Sequence, residues 1–164
     1  MAKAKDLITF APLIGVIYGY FAFRGIKKVT TNDDEQIDIM SRTMWGEARS
    51  EGREGLQAVA NVIMNRVKKG GWYGATPKEV CLKKYQFSCW LPNDPNYPLL
   101  TRVTDSDSRF ALAKTLAALA IGGQLPDITN GATNYLALGS LSSAPSWSKN
   151  MKQVASIGAH TFYA

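Results

Sequence analysis

The sequence predicts a mainly helical α+β domain with a small β region, preceded by a separate N-terminal hydrophobic helix. Three features predict it. Stretches 35–48, 54–68 and 105–121 repeat apolar residues at three- and four-residue intervals, the spacing of helices buried on one face. Beyond residue 126 the pattern shortens: 128–138 and 157–163 mix Thr, Tyr, Ala and Phe around Asn130-Gly131 and Gly158, as turns and short extended segments do. Residues 7–23 carry no charge at all.

That apolar run is Leu-Ile-Thr-Phe-Ala-Pro-Leu-Ile-Gly-Val-Ile-Tyr-Gly-Tyr-Phe-Ala-Phe. As a helix it spans roughly 25 Å, the short end of a bilayer core. Basic residues flank both ends, and Tyr18 and Tyr20 suit an interface. Residues 1–28 are therefore expected to be an uncleaved membrane segment. A cleaved signal peptide is the competitor, although no small-x-small site precedes Arg24-Gly25-Ile26-Lys27-Lys28. Two lysines before the run and three basic residues after it leave its orientation open. Residues 29–36 read as a linker ending in the cap-rich Thr30-Thr31-Asn32-Asp33-Asp34, and 37–164 as the folded domain.

In the first helix, Ile37, Met40, Met44 and Ala48 define one face, and Glu47 falls on or beside it. Gly52 and Gly55 permit a turn. The second helix carries the stripe Leu56, Val59, Ala60, Ile63, Met64 and Val67 and closes on Lys68-Lys69-Gly70-Gly71, basic residues followed by glycine. Asn61 and Asn65 lie four apart, pointing either toward the Glu47 turn or into a helix–loop contact. Residues 70–100 are loop-rich, with Thr76-Pro77 starting a short helix to about 82. Tyr85-Gln86-Phe87-Ser88-Cys89-Trp90 mixes aromatics with hydrogen-bonding side chains, as saccharide-binding walls do, and as cores also do. The third helix follows the cap cluster Asp105-Ser106-Asp107 and stops at Gly122-Gly123.

Charge narrows the function classes. The 164-residue chain carries +6. The first 28 residues hold +4 of it, leaving +2 for residues 29–164. A folded domain with so small an excess, and no recognition motif, is not expected to bind nucleic acid. A mildly basic surface suits an anionic polymer such as cell wall, membrane headgroups, or plain solubility. Cys81 and Cys89 make no zinc site; a disulfide and two buried free thiols remain equal alternatives. No metal or cofactor motif is visible, and no cofactor is expected.

Chemistry concentrates in Met44-Trp45-Gly46-Glu47-Ala48-Arg49-Ser50-Glu51-Gly52-Arg53-Glu54-Gly55. Carboxylates beside an apolar pattern must be exposed, paired or used. Residues alone leave Glu47 between an ion pair with Arg49 or Arg53 and a catalytic acid.

Five blocks in order settle that choice by resemblance. They are 45–52 and 54–67, Gln86-Phe87-Ser88-Cys89-Trp90, Asn130-Gly131-Ala132-Thr133-Asn134-Tyr135, and Ile157-Gly158-Ala159-His160-Thr161-Phe162-Tyr163. Over about residues 37–163 the chain resembles the cell-wall hydrolases of the spore-cortex-lytic (SleB) type. Ser50 departs from the glycine usual in that family. The resemblance implies a lysozyme-like or lytic-transglycosylase-like domain acting on the glycan strands of peptidoglycan, with Glu47 as the catalytic residue. Gln86, Ser88, Asn134 and Tyr135 become candidate groove residues. Glu51 and Glu54 are expected to stabilise the turn or cap the second helix, and His160 to be structural. Glycosidic cleavage needs a carboxyl that is still protonated near neutral pH, so desolvation by Met44 and Trp45 is expected to tune Glu47. A hydrolase ordinarily needs a second carboxylate roughly 5–9.5 Å away; Glu51, Glu54, Asp94 and Asp127 are thin candidates, which favours a transglycosylase with one acid/base. Small size and an apolar N-terminal segment suit phage entry or lysis and bacterial envelope remodelling alike.

Overall fold

The computed structural model describes residues 31–164 apart from 138 and 140–143. The expected membrane segment at residues 7–23 lies outside the described residues. Among the described residues, no helix is long and apolar enough to cross a membrane.

Among the described residues five helices come first: α1 (Thr31–Ala48), α2 (Gly52–Lys69), α3 (Pro77–Leu82), the single turn α4 (Tyr97–Leu100) and α5 (Ser108–Ile121). A three-stranded antiparallel sheet follows, from β1 (Asn134–Ala137), β2 (Gln153–Ile157) and β3 (His160–Tyr163), with β3 in the centre. Short 3-10 turns occupy Ser88–Trp90 and Ser146–Asn150. The mainly helical α+β expectation holds.

Helix α1 starts earlier than its apolar spacing indicates. The expected linker at 29–36 is helical from Thr31, with Asp33 and Asp34 in the first turn, where negative charge favours a helix N-terminus. The helix packs against α2, α3, α4 and α5. Being surrounded, it buries Ser41 and Thr43 as well as Met40, Met44, Trp45 and Ala48. The two hydroxyls are satisfied within the helix, Ser41 Oγ donating to Ile37 O at 2.5 Å and Thr43 Oγ1 to Ile39 O at 2.9 Å. Buried polar groups need such partners.

The main core unites α1, α2 and α5 through Met40, Met44, Leu56, Ile63, Phe110 and Leu116, all fully buried. The opposite side of α2 supplies Ala58 and Val62 to a smaller core with Ala132 and Phe162. Helix α2 therefore lies between the helical bundle and the sheet. Its run from Gly55 to Ile63 is buried on both sides. α3 and α5 start as their sequences foretell: Thr76 Oγ1 accepts from Glu79 N at 3.2 Å, and Asp107 Oδ1 accepts from Arg109 N at 2.8 Å and Phe110 N at 3.1 Å.

The C-terminal tail differs in detail from a single β-like segment. It is a hairpin, β2 turning at Gly158-Ala159 into β3, with an irregularity between Gln153 and Ala155. Strand β1 joins the far side of β3 and places Tyr135 opposite Phe162 and Ala137 opposite His160.

Candidate active site

Glu47 occupies the last turn of α1, half-buried between the helical bundle and the sheet. Its neighbour Gly46 explains how the site is assembled. A Cβ at position 46 would lie 2.8 Å from Cys89 Cβ and 3.0 Å from Cys89 Sγ. Only glycine lets the Ser88–Trp90 turn press this closely on α1. That approach brings the Cys89 N–H to Glu47 Oε1 at 3.2 Å. The turn is pinned a second time by Trp90, whose indole Nε1 donates to Thr43 Oγ1 at 2.8 Å.

The other carboxylate oxygen faces the sheet. Tyr135 on β1 donates its hydroxyl to Glu47 Oε2 at 2.8 Å. Burial, then the charge of Glu47 and the hydrogen bond to it, raise the Tyr135 phenol well above its ordinary value. It therefore stays protonated and remains a donor. Burial, then Glu47, likewise push the Cys89 thiol up, so no thiolate competes for the site. Tyr135 is packed edge-on by His160 at 5.2 Å between ring centroids and lies 5.7 Å from Phe162. His160 touches the ring that holds the acid, not the acid itself.

The ion-pair alternative for Glu47 is overturned. Among the described residues the ion pairs are Arg42–Asp38, Lys78–Glu35 and Lys114–Asp105. Arg49 lies over the Trp45 ring at 4.5 Å and donates to Asn96 Oδ1 at 2.8 Å. Glu51 does not cap α2 with its side chain. Instead, Glu51 Oε2 accepts from Ala159 N at 2.8 Å, fastening the β2–β3 turn to the α1–α2 turn. Gly158 permits the contact: its φ is +55°, and a Cβ there would meet Glu51 Oε2 at 2.4 Å. Glu54 is exposed in the first turn of α2.

Of the four candidate groove residues, the structure brings Tyr135 directly to Glu47. Ser88 is exposed at the start of the turn that carries Cys89. Asn134 opens β1, its Oδ1 accepting from Thr133 Oγ1 at 3.1 Å. Gln86 is committed to the fold: its Nε2 donates to Tyr73 O at 2.7 Å and its Oε1 accepts from Arg66 at 3.2 Å. Arg66 is a residue the sequence reading missed. It is buried on α2, donates Nε to Thr133 O at 2.7 Å, and lies over the Phe87 ring at 4.8 Å. Burial lowers its pKa, and the charge of Glu47 is among the influences that oppose the shift. One guanidinium thus ties the 86–90 segment to the residue before β1. Its place three after Ile63, inside the apolar stripe, was the available signal.

Asn61 and Asn65 do not reach toward Glu47. They hold the loop before β1: Asn61 Nδ2 donates to Pro126 O at 3.1 Å, and Asn65 Nδ2 to Ala132 O at 3.0 Å. Asp127 and Asp94 serve their own loops. Asp127 accepts from Thr129 N at 2.7 Å and Gly131 N at 2.9 Å, and Asp94 from Asn96 N at 2.8 Å. Cys81 and Cys89 are free, buried thiols, which resolves the alternative against a disulfide.

This arrangement, a helical bundle closed by a small antiparallel sheet, is similar to the fold of two solved SleB catalytic domains. The catalytic domain of the Bacillus cereus SleB protein superposes with a TM-score of 0.63 at 24% identity, covering 85% of this chain and 95% of that one. The catalytic domain of the germination-specific lytic transglycosylase SleB from Bacillus anthracis gives 0.58 at 26% identity, with 84% and 98% covered. No curated protein matches the chain. The cell wall hydrolase family model matches residues 50–163, and the chain belongs to that family. The matched stretch starts three residues after Glu47 and includes Cys89 and Tyr135.

Proposed function

We propose that the protein cleaves the glycan strands of peptidoglycan between N-acetylmuramic acid and N-acetylglucosamine, as a lytic transglycosylase with Glu47 as its acid and base. The observation that carries this reading is the grip on the Glu47 carboxyl group. One oxygen meets a backbone N–H and the other a phenol, at 3.2 and 2.8 Å. A backbone N–H only donates, so Oε1 is held as an acceptor. In this reading the acid works through Oε2, the oxygen that faces Tyr135, whose hydroxyl can accept as well as donate. Oε2–H protonates the glycosidic oxygen as the bond to the muramic acid anomeric carbon breaks. The carboxylate so formed, again receiving the Tyr135 hydrogen bond, takes the proton from the muramic acid 6-hydroxyl while that oxygen attacks the anomeric carbon. A 1,6-anhydro end results, and no water is consumed.

The loop roles of Asp94 and Asp127 support one carboxylate rather than two. So does the likeness to the Bacillus anthracis SleB domain, which belongs to a lytic transglycosylase. Mass spectrometry of digested peptidoglycan tests the mechanism: anhydro-muramyl ends are expected, and reducing muramic acid ends would make the enzyme a hydrolytic muramidase. Glu47→Gln is expected to lower muropeptide release by about 10²–10⁴-fold, the usual weight of a general acid. Unchanged release would leave a glycan-binding or assembly protein without turnover. In the same reading residues 7–23 hold the enzyme at a membrane, with the domain acting in the periplasm, the cell wall or from a virion membrane during phage entry or lysis, or in envelope remodelling. Retention in the membrane fraction after an alkaline wash, lost on deleting residues 7–23, is the expected result.

A further inference from the structure

Charge on the folded domain is segregated. Residues 68–86 contain five lysines and one carboxylate, Glu79, a net +4, although residues 29–164 together carry only +2. The rest of the domain is therefore net negative. Lys78 is paired with Glu35. The other four, Lys68, Lys69, Lys83 and Lys84, are interleaved with aromatic rings.

Trp72 is 66% exposed and Tyr85 74% exposed, the two most exposed large hydrophobic side chains among the described residues. Lys83 Nζ lies 4.8 Å from the Trp72 ring centroid and also donates to Trp72 O. Lys84 Nζ lies 4.8 Å from the Tyr85 ring, and Lys69 Nζ 5.6 Å from the ring of Tyr73, which packs edge-on against Trp72 at 5.4 Å. Gln86 joins the two halves of this surface through its bond to Tyr73 O. Tyr85 has φ +68°, a conformation costly for a bulky side chain and found where surroundings or function demand it. Here it holds a ring in solvent, where burial gives no return.

The platform lies close to the acid. Tyr85 precedes Cys89, the donor to Glu47, by four residues, so their Cα atoms are at most ~14 Å apart. That is a few sugar rings along a strand.

We propose that Trp72 and Tyr85, with Lys69, Lys83 and Lys84, form an accessory subsite for peptidoglycan, in which the rings take pyranose faces and the lysines take free carboxylates of the stem peptides. The proposal rests on the peptidoglycan reading above and adds the part of the polymer that is recognised. Rings flanked by cations match a strand that alternates apolar sugar faces with anionic branches.

The test is co-sedimentation of the full chain with purified sacculi, in a Glu47→Gln background that leaves them uncut. Trp72→Ala with Tyr85→Asn, and separately Lys69→Glu with Lys84→Glu, are each expected to weaken binding about tenfold with the melting temperature retained. Asn accepts the left-handed backbone at position 85, so lost binding is not lost folding. Sacculi whose carboxylates have been amidated are expected to bind the parent protein more weakly and to erase the deficit of the lysine pair. With Glu47 restored, both pairs are expected to slow the digestion of sacculi while leaving turnover of a short soluble glycan unchanged. Unchanged sacculus binding by both pairs overturns the proposal, as does an equal loss on the short glycan. It is also overturned if the pairs lose affinity for single-stranded DNA or phosphatidylglycerol vesicles but keep it for sacculi. Because binding is read without cleavage, failure of the catalytic assignment leaves this measurement intact.

Discussion

Adding one methyl group at position 46 is expected to separate helix stability from activity. Gly46→Ala places a carbon 2.8 Å from Cys89 Cβ, 3.0 Å from its Sγ and 3.6 Å from Leu100 Cδ2. Carbon atoms settle at about 3.5–4.0 Å, so the Ser88–Trp90 turn must retreat by roughly 0.7–1 Å. The Cys89 N–H bond to Glu47 Oε1 begins at 3.2 Å. After the retreat it is close to 4 Å, outside hydrogen-bonding range. The net loss of stability is about 0–2 kcal/mol, because about 1 kcal/mol of helix propensity gained by alanine offsets part of an overpacking cost of about 1–3 kcal/mol. Activity falls much further, since a misplacement near 1 Å costs on the order of 10²-fold. The assay is muropeptide release from sacculi beside a thermal melt. Cys89→Gly in the same chain removes the facing Cβ and keeps the N–H, so the double variant is expected to recover at least about tenfold. A Gly46→Ala protein within about threefold of the parent activity would refute the claim that this close approach sets the carboxyl group.

Three further outcomes follow from the same geometry. Tyr135→Phe removes the phenol from Glu47 Oε2; a hydrogen bond to a charged group is worth about 1.5–3 kcal/mol, so turnover is expected to fall about 10–100-fold, and an unchanged rate on sacculi counts against the proton assignment. Glu51→Ala frees the Ala159 N–H and is expected to cost about 1 kcal/mol in denaturant unfolding, with faster amide exchange at 158–160; an unaltered hairpin would remove Glu51 from its clamping role. At Asp127 burial raises the pKa, but bonds from the Thr129 hydroxyl, Asn65 and the backbone of Thr129 and Gly131 outweigh it and leave it lowered. Its contribution to stability is then fully present above the unfolded value near ~3.9 and lost as pH falls through the folded one. Asp127→Asn is therefore expected to be less stable than the parent at neutral pH, with the gap closing under acid, as melting curves across pH 2–7 will show.

The helices were legible because their period is local. The stripe from Leu56 to Val67 needs no distant partner to be read, and neither does the Thr76-Pro77 start of α3. Glu47 was legible as the acid on or beside the buried face of α1, but its assignment to catalysis rather than to an ion pair came from a resemblance and not from spacing. Its partners were illegible for a different reason. Tyr135 is 88 residues away, and its strand pairs with β3, so no window on the sequence contains both. Cys89 contributes a backbone N–H, which leaves no trace in side-chain chemistry. Gly46, inside an otherwise regular helix and next to the acid, was the local mark of that contact; a helix-interior glycine costs stability and calls for a packing reason. Gln86 was ambiguous because an amide among aromatics reads the same whether it meets a sugar or, as here, Arg66 and a carbonyl.

The two thiols have a consequence for where the domain can mature. Both are buried and unpaired, and burial pushes Cys81 up to about 12. At pH 7 its reactive thiolate is then about one part in 10⁵, and thiol–disulfide exchange proceeds through the thiolate. No covalent staple has to be closed by an oxidant, and none is available to be opened by a reductant. The fold can therefore form and persist in reducing or oxidising surroundings alike, without chemical remodelling.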